Sequence, residues 1–166
     1  MKNRDIKSSH KIAFSGMVIA LYISVMFFSQ SFAFGQYQIR IATSLYALAA
    51  FYPFLIIPLG IANFLSNFLF GGLGPLDMIG GLIVGILTAL GCFKARKVSV
   101  YLVGVPILLI PTLLVSSWLS ILLNVPYLAL FVSVGVGQII PSAFGIFLVM
   151  FLEKNFKREA KTNDEN

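Results

Sequence analysis

The sequence predicts an all-α membrane protein: a bundle of six transmembrane helices with both termini cytoplasmic. Composition and charge placement carry that class. Of the 166 residues 58% are hydrophobic and only 11% charged, whereas a soluble domain carries about 25% charged and about 45–50% apolar residues. The charges are also segregated, since residues 12–152 hold only Arg40, Asp77, Lys94, Arg96 and Lys97. An ordinary soluble domain, a disordered chain and a nucleic-acid-binding module are thereby excluded. The net charge of +6 does not reopen the last of these. Four cations fall in the first eleven residues, three in Lys94–Lys97 and four in the C-terminal tail. That is membrane-flanking charge, not a basic face.

The chain divides into a basic cytoplasmic N-terminus (1–11), a transmembrane domain (12–152) and a cytoplasmic tail (153–166). Lys2, Arg4, Lys7 and Lys11 precede an apolar run of 23 residues, Ile12–Phe34. It is longer than the roughly 7–15 residues of a signal-peptide core and no small-x-small cleavage pattern follows, so a retained first span is expected. The stretch 41–70 comes next, then a glycine-rich break at 71–75, spans near 76–93, 98–123 and 127–152, and a break at Asn124-Val125-Pro126.

Stretch 41–70 sets the count. One tilted pass would place Lys94–Lys97 outside. Two passes put eleven of the twelve Lys and Arg on the cytoplasmic side and satisfy the positive-inside rule. Pro53 and Pro58 give the chain a reason to turn, because each removes a helical N–H and crowds the preceding turn. Two short helices of about 16 and 14 residues are therefore expected, bordering a cavity that shields them from lipid. A chain of this size is small for a complete secondary transporter, and no inverted repeat is evident.

This topology gathers polar residues at the outer face. Arg40 and Asp77, the isolated charges, fall at two of the outer breaks. Around them lie Gln36, Tyr37 and Gln38, then Asn63 and Asn67, then Asn124 and Tyr127. Polar groups at membrane depth cost several kcal/mol unless partnered, so the gathering points to an outward-facing pocket for a small polar, aromatic-friendly molecule. Arg40 and Asp77 taken singly could instead snorkel or pair with each other. Trp118, Tyr127 and Tyr101 suit an aromatic belt, and the first two are also on the side where a planar ligand could stack. Gln138 and Ser142 lie one turn apart beside Pro141 and suit an interhelical hydrogen bond.

Ala13, Gly16, Ala20 and Ser24 form a flat face on the first span. Such a face serves close packing, either against another membrane subunit or within the bundle. The Gly71, Gly72, Gly74 and Pro75 turn lacks a following Gly-Lys-Ser/Thr, so it is not a phosphate loop. Cys92 is the single cysteine, which excludes an internal disulfide and a cysteine-pair metal site. His10 stands alone in the basic N-terminus, and no metal-ligand set can be assembled around it. No catalytic constellation is present, with no intramembrane histidine, carboxylate pair or hydrolase motif, so no enzymatic activity is expected. An ion-coupled carrier wants more buried ionisable groups than one acid and one base. A protein that binds a solute and leaves energy supply to others fits best.

Tyr37-Gln38-Ile39-Arg40-Ile41, the proline-rich short pair, Asn67, and Gly71-Gly72-Leu73-Gly74-Pro75-Leu76-Asp77 leading into Met78-Ile79-Gly80-Gly81 resemble a known family. They are similar to the substrate-binding S components of energy-coupling factor (ECF) transporters, and within these to the queuosine-precursor group, QueT. The resemblance runs from about residue 12 to 152. It implies a six-helix bundle that captures a vitamin-like ligand near the outer face of the plasma membrane. The bundle would dock through Ala13, Gly16, Ala20 and Ser24 onto a transmembrane coupling subunit carrying two ATPases. The chain itself would carry no cofactor, ATP being used by those partners. Gln38, Arg40, Asn67 and Asp77 match the family's polar positions and would bind ligand, with Trp118 or Tyr127 as apolar cover. An acidic residue of the family pattern is absent near position 43, where Ala42-Thr43-Ser44 stands, leaving Asp77 to read an amidine-like edge. The alternatives are another micronutrient such as a corrinoid, a self-sufficient oligomeric carrier, or a non-transporting scaffold.

Overall fold

The computed structural model describes residues 7–35, 37–71 and 73–164, the last six as backbone only. Lys2, Arg4, Gln36 and Gly72, singled out above, lie outside the described residues. Every regular element among those described is helical. Helix α1 is Ser8–Ala33, α2 Ile56–Ser66, α3 Pro75–Arg96, α4 Gly104–Leu123 and α5 Tyr127–Asp164. A 3₁₀ turn (Pro53–Leu55) and a π-helical turn (Asn67–Gly71) extend α2 at its two ends. Among the described residues five runs are long and apolar enough to cross a membrane, the α2 run being Pro53–Gly71.

The remaining apolar segment is a 3₁₀ helix, Ile41–Ala50. At about 2.0 Å per residue it spans about 20 Å, less than the roughly 30 Å of hydrocarbon. Ala42, Thr43, Tyr46, Ala47, Ala49 and Ala50 are buried by neighbouring helices, which shield its backbone from lipid. Two hydroxyls favour the tighter winding. Thr43 Oγ1 donates to the Arg40 carbonyl at 2.7 Å and Ser44 Oγ to Ile41 O at 2.8 Å, both three residues back. The expected turn thus falls at Phe51–Tyr52, ahead of both prolines. Pro53 begins the next helical piece and Pro58 sits in the first turn of α2, where a missing N–H costs little. The two pieces are accordingly 10 and 19 residues long, not 16 and 14.

The bundle's two ends differ in chemistry. At one end Tyr52 meets Phe14 of α1 (centroids 5.2 Å apart) and Phe156 of α5 (6.5 Å). There Arg96 lies 4.0 Å above the Phe51 ring and 3.7 Å from the Glu153 carboxylate. The start of α1, the Lys94–Lys97 turn and the far part of α5 therefore share that end. The opposite end holds Phe34, Arg40, Asn67 and Asp77, and the 3₁₀ helix connects the two ends.

Helix α3 is the central strut, packed against α2, α4 and the 3₁₀ helix. Its contact with α2 is backbone to backbone, since a Cβ on Gly85 would stand 2.8 Å from the Gly60 Cα. From that crossing Gly60, Asn63 and Asn67 run along one face of α2, and Gly85, Gly81 and Asp77 run antiparallel along α3. Close approach lets each asparagine reach a main-chain carbonyl across the interface. Asn63 Nδ2 donates to Gly81 O at 2.8 Å and Asn67 Nδ2 to Asp77 O at 2.9 Å.

Candidate functional site

The polar cluster assembles at the end of that α2–α3 seam. Arg40, just before the 3₁₀ helix, is 5% exposed and Asp77 is 1% exposed. They do not form an ion pair. Asn67 stands between them, its Oδ1 accepting from Arg40 Nη1 at 3.0 Å while its Nδ2 holds the Asp77 main chain. Arg40 Nη1 also donates to Asn63 Oδ1 at 3.3 Å, and the guanidinium lies 4.8 Å over the Phe34 ring. A buried charge with neutral partners carries an uncompensated desolvation cost, so this arrangement is expensive to fold.

Asp77 lies in the first turn of α3, where the helix dipole favours a carboxylate. Its Oδ1 accepts from the Trp118 indole N–H at 3.1 Å. The indole reaches it because Gly80 has no side chain, as a Cβ there would come within 2.8 Å of the ring. The second oxygen, Oδ2, is buried with no hydrogen-bond partner, as are Gln38 Oε1 and Arg40 Nε. Buried polar atoms are nearly always paired. Two acceptors and one donor are thus left open within one cluster.

Two spaces adjoin it. An inner cavity of about 10 Å³ is walled by Gln38, Arg40, Asn63, Trp118, Val134 and Gln138 among others, room for about one water. Toward the loops an open vestibule of about 440 Å³ is lined by Phe34, Leu73, Leu123, Val125 and Leu130, with Gln38 at its base. It lies among three of the chain's breaks and is mostly apolar, the usual character of small-molecule sites.

Of the residues expected from sequence, Gln38, Arg40, Asn67, Asp77 and Trp118 come together. Tyr127 does not. It is exposed, its hydroxyl donates to Leu113 O at 3.4 Å, and its ring lies 6.0 Å from Phe131. Tyr101 is 66% exposed and lies apart from the cluster. Gln138 and Ser142 both make interhelical bonds, but not as a pair. Gln138 Oε1 accepts from Thr43 Oγ1 and its Nε2 donates to Gln38 O, whereas Ser142 Oγ donates to Gly104 O on α4. Thr43 and Phe34 were not among the expected ligand-side residues, and Gln138 was expected chiefly as an interhelical hydrogen bonder, with ligand contact the lesser alternative. A lone amide in an apolar span was the available signal for Gln138. Cys92 is buried, with Sγ 3.6 Å from Val103 O.

Ala13, Gly16, Ala20 and Ser24 all lie on the exposed side of α1, opposite its buried stripe of Val18, Tyr22, Met26, Ser29 and Ala33. A Cβ on Gly16 would meet nothing within 4 Å. Among the described residues this face is therefore not packed inside the bundle.

No curated protein and no solved structure matches the chain. The sequence model of the family described as "QueT transporter" matches residues 12–154, which take in three of the five long apolar runs whole, most of the first and last, the 3₁₀ helix and every residue of the polar cluster. A buried, incompletely satisfied polar cluster below an open vestibule is in keeping with solute handling, and the chain belongs to the QueT transporter family.

Proposed function

We propose that the protein is the substrate-binding S component of an ECF-type importer. It captures a small vitamin or nucleobase-like compound, a queuosine precursor by preference, at the outer face of the plasma membrane. The observation that carries this is the set of unsatisfied atoms, Asp77 Oδ2, Gln38 Oε1 and Arg40 Nε. A deazaguanine offers matching chemistry. The N–H groups of its amidine-like edge would donate to Asp77 Oδ2 and Gln38 Oε1 by charge-assisted and neutral bonds, and its ring carbonyl would accept from Arg40. The Trp118 indole and the Phe34 ring supply planar faces. Because the inner cavity holds about one water, binding must part the walls, with the solute's own groups replacing contacts such as Arg40–Asn63.

The remaining parts fit the same scheme. Six segments crossing between two ends, with the basic end cytoplasmic, satisfy the charge rule. The exposed small-residue face of α1 suits close docking to a helical membrane partner, the coupling subunit. Two ATPases on that subunit would supply the energy, since this chain offers no nucleotide-binding loop.

Alanine at Arg40 or at Asp77 should weaken binding of a 7-deazaguanine precursor at least tenfold, measured by titration calorimetry on purified protein, while the folded state persists by circular dichroism. Unchanged affinity in both variants removes the proposed site.

A further inference from the structure

The vestibule and the inner cavity share one wall residue, Gln38, and three features fix it there. Its backbone is left-handed, with φ 50°, a conformation that a non-glycine residue keeps only where its surroundings impose it. Its carbonyl accepts from Gln138 Nε2 of α5 at 3.3 Å, and Gln138 Oε1 shares the single Thr43 hydroxyl proton, at 3.2 Å, with the Arg40 carbonyl at 2.7 Å. The backbone of Tyr37 rests directly on Gly137, where no Cβ could be accommodated. Pro141, one turn on in α5, lacks the N–H that would bond the Gly137 carbonyl, so the segment is pressed against a weakened stretch of helix. Despite this fixing, the Gln38 side-chain oxygen is buried and unpartnered. The residue is over-determined in its backbone and under-satisfied in its side chain.

We propose that Gln38 is a side-chain gate between vestibule and inner cavity, and that Gln138, bonded to the Gln38 main-chain carbonyl, is the positioning residue that holds its backbone in the closed arrangement. This rests on reading the two spaces as one solute path. A solute with a hydrogen-bond donor satisfies Gln38 Oε1 at the threshold and compensates for its rotation, whereas an apolar solute of the same size offers nothing in exchange. The gate thereby selects for donors before Arg40 and Asp77 are reached. Strain at φ 50° favours release once the Gln138 contact is broken, so the gate has two arrangements rather than a continuum.

A cysteine at Val134, which is buried on the α5 wall of the inner cavity, reports the gate without any ligand. Purified full-length Val134→Cys protein is treated with a small cationic methanethiosulfonate and followed by mass spectrometry. Gln138→Met, close in volume but without either hydrogen bond, should raise the modification rate at least tenfold. Gln38→Gly should do the same. The double variant should be no faster than the faster single one, because both act on one gate. The buried native Cys92 must stay unmodified throughout. Unchanged rates in both single variants overturn the proposal. So do rates that multiply in the double variant, or acceleration accompanied by modification of Cys92, which marks general loosening. Deazaguanine titration and thiol labelling fail independently, so a wrong substrate and a wrong gate are told apart.

Discussion

Asn67 holds two buried charges at a fixed separation. Its amide oxygen accepts from Arg40 and its amide nitrogen fixes the Asp77 main chain, so one side chain sets the geometry of both. Asn67→Leu removes both bonds and leaves the guanidinium with the longer Asn63 hydrogen bond and the Phe34 ring. Losing the partner of a buried charged donor costs about 1–3 kcal/mol or more. A fall in thermal midpoint of several degrees is expected by scanning calorimetry, together with loss of ligand binding. Loss of binding at unchanged stability would mean that Asn67 acts on the ligand alone. Much at this scale was legible in the sequence: Arg40 and Asp77 are isolated charges in an apolar chain, and Asn63 and Asn67 are four apart on one helix face. The Thr43–Gln138 contact was not, because its partners are 95 residues apart and local spacing carries no information about them. Tyr127 shows the converse: it follows a polar break in sequence, yet its hydroxyl turns to Leu113 O and not to the cluster.

At the scale of elements, the α2–α3 crossing decides whether the asparagines reach their carbonyls. Gly85→Ala puts a methyl 2.8 Å from the Gly60 Cα, and backbone cannot rotate aside as a side chain can. Overpacking of this kind costs about 1–3 kcal/mol. The seam should open, so the variant is expected to lose both stability and affinity, whereas Gly16→Ala on the open face of α1 should lose neither. Equal tolerance at the two positions, measured by thermal unfolding, would contradict the crossing as the support of the site. Helix α1 and the later spans follow from apolar length and flanking charge. The 3₁₀ helix Ile41–Ala50 did not. Prolines in 41–70 marked a turn but could not say whether each ends a helix or begins one. The choice fell to Thr43 and Ser44, whose hydroxyls bond carbonyls three residues back, and to tertiary burial of an alanine-rich stretch.

On the proposed function the whole molecule separates two tasks on two surfaces. Ligand would bind at the end holding Arg40 and Asp77, while Ala13, Gly16, Ala20 and Ser24 on α1 are exposed and a Cβ on Gly16 would meet none of the described residues within 4 Å. Gly16→Phe should therefore abolish uptake by the assembled transporter and leave ligand affinity within about twofold, because no residue of the cluster touches that face. Lost binding in that variant would mean that the face is coupled to the site after all. The two-ended organisation was legible from charge segregation, since Lys94–Lys97 demanded an even number of passes between itself and the N-terminus. The depth of the cluster was not, because exposure at a break and burial beneath it look alike in sequence.

The most direct measurement is calorimetric titration of the purified chain, without partner subunits, with a 7-deazaguanine precursor, beside the Asp77→Ala variant. Saturable one-to-one binding that weakens at least tenfold in the variant is the result this account predicts. An absence of saturable binding by folded wild-type protein, or equal affinity in wild type and variant, would contradict it.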